Sequence, residues 1–158
     1  MIGLVLPLFS FAAVPTDQRI KISIKNETAA ALTLTKAETN KNYLYYSCAS
    51  SFVEQPATNR LLPGDSAKFT DVKSDTSCSN PAISDLIVYT AADGASCTFG
   101  FVNAYYNKAK QCSIIFQTAS DNSITCPVIN VATSDNSLCQ FDATVKRLSS
   151  QKSKEVRP

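Results

Sequence analysis

The chain has 158 residues, a formal net charge of +2, six cysteines and no histidine. This length favours a single domain with a real hydrophobic core, and the small net charge gives no reason to expect a nucleic-acid partner. The absence of histidine excludes Ser-His-Asp and Cys-His catalytic arrangements. It also removes the commonest metal ligand. The chain has no CxxC pair and only four glycines, so we expect neither a metal site nor a cofactor.

The N-terminal residues 2–13 form an almost entirely apolar run. The run is too short to cross a bilayer and ends in small residues, which predicts a signal peptide over residues 1–13, cleaved after Ala12 or Ala13. No basic residue follows the initiator methionine, and the alternative is a buried first strand or a truncated start. Because disulfides form in oxidising compartments, the even cysteine count favours export. We therefore predict a secreted, extracellular protein.

Alternation with period two begins at Arg19 and predicts a first strand over residues 19–25, with three isoleucines on one face. A turn follows at residues 26–28. Further strands are predicted over residues 32–35, 43–53 and 67–72, with Pro63-Gly64 ending the loop that precedes the last of them.

Three turn signals in the second half predict hairpins. A two-residue Asp93-Gly94 turn of type I′ sets three pairs on one face, namely Thr90 with Cys97, Val88 with Phe99 and Leu86 with Phe101. A turn at residues 121–122 pairs strand 112–118 with strand 124–131, although Pro127 weakens that strand. A turn at residues 135–136 pairs Val128 with Ala143 and Asn130 with Phe141.

No segment shows helical periodicity, and eight or nine short strands predict an all-β fold, an antiparallel β-sandwich stabilised by disulfides. We place this domain at residues 19–146. A basic tail over residues 147–158 is expected to be disordered. The sequence leaves open whether Lys146-Arg147 is a processing site.

All six cysteines are predicted to form disulfides, and most of them share a strand face with apolar residues; they are Cys48, Cys78, Cys97, Cys112, Cys126 and Cys139. In the last hairpin Cys126 and Cys139 lie about six rows apart, near 20 Å, which exceeds the ~7 Å that a disulfide allows. For strands that turn around Asn107, a similar argument excludes Cys97–Cys112. The other connectivities stay open.

The acidic residues fall mainly in predicted turns, where aspartate commonly bonds to nearby backbone; these are Asp65, Asp71, Asp75, Asp93, Asp121 and Asp135. We therefore predict no enzymatic activity, with a carboxylate-dependent glycoside hydrolase as a minor alternative. Asn26-Glu27-Thr28 is an N-glycosylation sequon in a predicted exposed turn, so Asn26 is a candidate acceptor.

Two tyrosine clusters are the predicted binding residues: Tyr43 and Tyr45 in one, Tyr105 and Tyr106 in the other, the latter flanked by Asn103 and Asn107. A tyrosine ring can lie at a lipid interface or stack on a sugar, since its body is apolar and its hydroxyl polar. The alternative is that one tyrosine of each adjacent pair fills the core.

Three segments carry a family resemblance: Ile20-Lys21-Ile22-Ser23-Ile24-Lys25-Asn26, Leu32-Thr33-Leu34-Thr35, and Leu61-Leu62-Pro63-Gly64-Asp65-Ser66 before Phe69. Residues 19–70, with the stretch 86–101, resemble aegerolysin-like β-sandwiches, and thaumatin-like proteins share the general layout. The aegerolysin resemblance implies a β-sandwich that binds membrane lipid, often beside a pore-forming partner. We carry over no functional residue from it.

These observations predict a secreted effector or toxin-like protein that binds lipid of a target membrane or a cell-surface ligand. The alternative is an effector or inhibitor that binds a host extracellular protein through the loops at residues 62–69 and 74–83.

Overall fold

A computed structural model describes residues 17–39, 48–75, 77–78, 82–106 and 109–148, with the backbone alone for Tyr106. The predicted signal peptide, Tyr43, Tyr45 and residues 149–158 of the predicted tail lie outside these residues. Within them there is no helix of the length and apolar character that crossing a bilayer requires.

Eleven strands make up the described chain: β1 (Arg19–Glu27), β2 (Leu32–Thr39), β3 (Ser50–Glu54), β4 (Arg60–Leu61), β5 (Ser66–Lys73), β6 (Ala82–Ala91), β7 (Ser96–Tyr106), β8 (Ala109–Ala119), β9 (Ile124–Thr125), β10 (Val128–Val131) and β11 (Leu138–Arg147). The all-β prediction is confirmed. The count exceeds eight or nine because β4 and β9 are two-residue strands that no hydrophobic pattern marks. β11 includes Arg147, the first residue assigned to the tail.

The strands form two sheets. Sheet A has the order β10-β11-β1-β5-β3, with β9 also paired to β11, and sheet B has the order β4-β2-β6-β7-β8. Every pair is antiparallel except β1 with β11, which run parallel. The parallel pair joins the first and last strands, so the two ends of the domain lie side by side in the middle of sheet A.

The core lies between the two sheets. Ile20, Ile22 and Ile24 of β1 are buried, as the alternation predicts, and the residues between them face outward. Phe101 of sheet B meets Phe141 of sheet A with ring centroids 4.7 Å apart. Each such buried side chain stabilises the fold by roughly 1.5–3 kcal/mol relative to an exposed one.

Three disulfides reinforce this core: Cys48–Cys78, Cys97–Cys126 and Cys112–Cys139, with Cα separations of 5.8, 5.6 and 5.4 Å. The six cysteines are paired as predicted, and neither excluded pair occurs. Cys97–Cys126 and Cys112–Cys139 both join sheet B to the chain that forms sheet A. They therefore tie the two layers together along the side where β7 and β8 lie.

The predicted register of the Asp93-Gly94 hairpin is wrong by one residue. Ala91 N–H donates to Ala95 O at 2.8 Å and Gly94 has φ +88°, so the loop has three residues and ends in a left-handed glycine. Consequently the pairs are Tyr89 with Cys97, Ile87 with Phe99 and Asp85 with Phe101. The hydrophobic pattern did not reveal the error, because β6 is apolar on both faces.

Of the other two hairpin predictions, one is confirmed and one is wrong. Val128 pairs with Ala143 and Asn130 with Phe141, which confirms the turn at residues 135–136. The pairing of strand 112–118 with strand 124–131 is wrong, since β8 pairs with β7 and both β9 and β10 pair with β11. The turn at residues 121–122 instead carries the chain from sheet B to sheet A.

Candidate functional site

An open cleft of about 310 Å³ lies on the outer face of sheet A. Its polar lining comes from four strands: Lys21 and Ser23 of β1, Lys68 and Thr70 of β5, Gln140 and Asp142 of β11, and Glu54 of β3. Ile22 and Phe69 complete the lining, but their side chains belong to the core. We name this feature the sheet A cleft.

Strand register arranges the polar side chains in two rows across the sheet. One row runs Lys68, Ser23, Asp142, and the next runs Glu54, Thr70, Lys21, Gln140. Neighbouring positions in a row are about 5 Å apart, and the diagonal neighbours in adjacent rows about 7–8 Å. Two lysines and two carboxylates thus alternate over a small area with a balanced charge.

Neutral polar groups form the floor of the cleft. Thr70 is 8% exposed, and its hydroxyl donates to Glu54 Oε2 at 2.7 Å, which fixes the carboxylate at one edge. Ser23 and Gln140 are half-buried, whereas Lys21, Lys68 and Asp142 are exposed. The floor can therefore donate and accept hydrogen bonds, and the rim supplies charges of both signs.

A second cleft of about 230 Å³ is lined by Lys110, Cys112 and residues 130–133. The Lys110 ammonium there donates to Thr133 O at 3.1 Å and to Asp135 O at 2.7 Å. Because the cation of this cleft is already engaged by backbone carbonyls, the sheet A cleft is the stronger candidate.

Two buried carboxyls face each other inside the sandwich. Asp71 of β5 and Asp85 of β6 are both 0% exposed. Because Asp71 lies within β5, the prediction that it forms a turn is wrong. Burial raises the pKa of Asp71 to about 6, although Ser50, Asp85 and the Val72 amide oppose the rise. Burial and then the charge of Asp71 raise the pKa of Asp85 well above its ordinary value.

The geometry does not form a glycosidase pair from these acids. Asp71 and Asp85 have no access to solvent. Glu54 and Asp142 lie on strands separated by three inter-strand spacings, about 14 Å, whereas paired catalytic carboxyls lie ~5–9.5 Å apart. Among the described residues, no cluster of three or more Cys, Asp or Glu side chains is arranged to hold a metal ion.

The predicted tyrosine site is described only in part. Tyr105 is half-buried near the end of β7, opposite Lys110, and Tyr106 is the last residue of that strand. Asn103 from the same cluster is 1% exposed, and its Nδ2 donates to Arg19 O and Ser137 O, each at 2.8 Å. Asn103 therefore links the two sheets and is not available to a ligand.

The prediction that Asn26 lies exposed in a turn is wrong. β1 continues through Glu27, and Asn26 is 0% exposed. Its Nδ2 donates to Ala30 O at 2.9 Å and Leu61 O at 3.0 Å, while its Oδ1 accepts from the Thr28 amide and hydroxyl. Asn26 and Thr28 of the sequon therefore hold the chain that follows β1 in place through buried hydrogen bonds.

Sequence reasoning missed the sheet A cleft. The polar face of β1 is visible in the alternation of Lys21, Ser23 and Lys25 with isoleucine. Which side chains stand beside Lys21, however, depends on pairing with β5 and β11, and the pairing with β11 is parallel and 119 positions away in the chain. No local pattern encodes such a neighbour.

No protein-family model and no curated protein sequence matches the chain. Solved structures do match. The lipid-binding protein Nakanori superposes with a TM-score of 0.60 and 11% identity, covering 82% of this chain and 71% of that one. RahU, in complex with a Tris molecule, gives a TM-score of 0.53 and 8% identity, covering 84% and 96%.

A lectin from Xerocomus chrysenteron, XCL, gives a TM-score of 0.45 and 7% identity, covering 82% of this chain and 99% of that one. At such identities the matches to Nakanori and RahU show a shared fold alone. The shared β-sandwich fold is therefore the part of the aegerolysin resemblance that has support.

Proposed function

We propose that this chain is a secreted, non-enzymatic recognition protein that binds the surface of a target membrane or cell. The observation that carries the proposal is the sheet A cleft, a solvent-open, charge-balanced site with hydrogen-bonding groups on its floor. Charged groups of both signs and hydrogen-bonding side chains suit such a cleft to a small polar headgroup. Its acids are too far apart for paired-carboxylate hydrolysis.

Two further observations support the proposal. Three disulfides are typical of proteins from oxidising, extracellular compartments. The shared fold includes Nakanori, which is described as a lipid-binding protein. Lipid at a membrane surface is therefore the favoured partner, and no catalytic residue is assigned.

Co-sedimentation of the oxidised protein with liposomes of varied composition tests the proposal. We expect the protein to pellet with vesicles of at least one lipid class and to stay in the supernatant without them. Failure to pellet with any lipid would contradict the proposal. It would favour a host extracellular protein as the partner, to be sought by affinity capture.

The predicted tyrosines enter the same assay. Tyr105→Ala with Tyr106→Ala, and separately Tyr43→Ala with Tyr45→Ala, are expected to weaken vesicle binding if these rings lie at the lipid interface. Unchanged binding of both variants would remove the tyrosines from the site and leave the proposed function standing.

A further inference from the structure

We propose that the sheet A cleft binds the zwitterionic headgroup of a phospholipid, with the outer face of sheet A lying against the membrane. The inference rests on the proposed function and deepens it, since it names the ligand chemistry and the contact surface. It assigns contact to a sheet face and not to the tyrosine-bearing segments.

The two lysines are placed to share one phosphate. Lys21 pairs with Thr70, and Lys68 stands two residues from Thr70 on the same face of β5. The lysines are therefore diagonal neighbours, about 7–8 Å apart at the backbone, and both ammonium groups can reach a single anion between them. The Ser23 hydroxyl, opposite Lys68, lies beside this position.

The two carboxylates flank this lysine pair from opposite sides. Asp142 lies on β11, diagonal to Lys21, and Glu54 lies on β3, diagonal to Lys68. A headgroup whose phosphate rests between the lysines can place its ammonium group against one of these acids, where the opposite charges attract each other. A purely anionic or purely cationic ligand would leave one pair of charges unneutralised.

The four charged side chains of the cleft form no ion pair with one another in the described residues. The ion pairs found in the described part of the chain join other side chains, and none involves Lys21, Lys68, Glu54 or Asp142. By contrast, Lys25 on the same face of β1 is paired with Glu27. Charges of both signs therefore border the open cleft without an ionic partner in the described residues.

Apolar side chains border the cleft at both edges. Val53, next to Glu54, and Ile129, opposite Asp142, are each 67% exposed. They are the most exposed large hydrophobic side chains among the described residues. With a headgroup in the cleft, these two side chains can enter the interfacial region of the bilayer, where burial of apolar area adds affinity.

The test compares vesicles of phosphatidylcholine, of phosphatidylcholine with phosphatidylethanolamine, and of anionic phosphatidylglycerol. We expect the protein to prefer the zwitterionic vesicles. Lys21→Gln with Lys68→Gln, and separately Glu54→Gln with Asp142→Asn, should each weaken that binding at least tenfold. The control, Lys25→Gln with Lys36→Gln, also removes two positive charges, but from positions outside the cleft. It should bind vesicles like the wild type.

Each outcome is decisive. If the wild type binds vesicles and the cleft variants, with unchanged melting temperatures, bind equally well, the inference is wrong and the proposed function stands. Preference for phosphatidylglycerol, with loss only in the lysine variant, would show a basic patch and overturn the zwitterion assignment. Binding of soluble glycerophosphocholine without vesicle binding would overturn the membrane assignment. If the wild type binds neither vesicles nor glycerophosphocholine, the proposed function is wrong, and this inference is wrong with it.

Discussion

Asp71 and Asp85 approach each other from opposite sheets, and both are completely buried. Hydrogen bonding by Ser50, Asp85 and the Val72 amide only partly offsets the effect of burial on the pKa of Asp71. The nearest cation along β5, Lys73, is also buried and donates instead to Cys78 O at 2.9 Å. Two like charges therefore compete for one proton in the interior of the sandwich.

This pair predicts that stability falls as the pH rises. Because the pKa of Asp71 is raised from 3.8 to about 6, the folded state binds more protons than the unfolded state across that interval. The free energy of unfolding contributed by Asp71 should fall by about 2 kcal/mol from pH 4 to pH 8. The raised pKa of Asp85 extends the loss to higher pH.

Urea denaturation of the wild type and Asp85→Asn at pH 4 and pH 8 measures this effect. The variant removes one of the two competing charges, so it should be the more stable protein at pH 8 and lose that advantage at pH 4. Asp65→Asn, an exposed change, serves as the control. A stability difference that is the same at both pH values would contradict the prediction.

The buried Asn26 predicts an unglycosylated, structurally required residue. Expression in a glycosylating host should give an intact mass without a glycan at this position, because the amide nitrogen is engaged inside the fold. Asn26→Ala should lower the free energy of unfolding by about 2–4 kcal/mol, since it leaves several buried groups without partners. Thr28→Ser, which keeps the hydroxyl and the sequon, should change little. A glycan at Asn26 in the folded protein would refute this account.

The Lys146-Arg147 pair should resist proteolysis in the folded protein. Arg147 belongs to β11, and its guanidinium donates to Asp93 and to Ser123 Oγ. The side-chain hydrogen bond to Arg147 is the largest cause of the lowered pKa of Asp93, so this contact is lost only as the pH falls through that pKa. Brief trypsin treatment followed by mass spectrometry should show slow cleavage after Arg147. Asp93→Asn should accelerate it, and equal rates in both proteins would contradict the prediction.

The disulfides that join the two sheets should contribute strongly to stability. Cys97 and Cys126 are 29 residues apart, and a closed loop of this size predicts a loss of about 3–4 kcal/mol when Cys97→Ala and Cys126→Ala are combined. Because the Cys112–Cys139 separation of 27 is nearly the same, removing that bridge should cost a similar amount. Denaturation by urea under oxidising conditions measures both. A cost below about 1 kcal/mol for either would show that packing alone holds the layers.

Local rules succeeded where one short segment decides the structure. The core face of β1 follows from a spacing of two residues, and its three isoleucines are buried as predicted. The turn at residues 135–136 also fixes its own register, as the pair Val128 with Ala143 shows. The Asp93-Gly94 turn failed because two-residue and three-residue loops share the same glycine signal, and the apolar strand β6 accepts either register.

The sequence by itself determined the all-β class, the core face of the first strand and the participation of all six cysteines in disulfides, although not which cysteine pairs with which. Each of these follows from residue type, residue count and short-range periodicity. Only the tertiary structure decided which strands are neighbours. The parallel contact of β1 with β11 creates the sheet A cleft, and the approach of β5 to β6 buries Asp71 against Asp85. Such neighbours lie far apart in the chain, and their choice depends on the packing of whole sheets, which no local pattern contains.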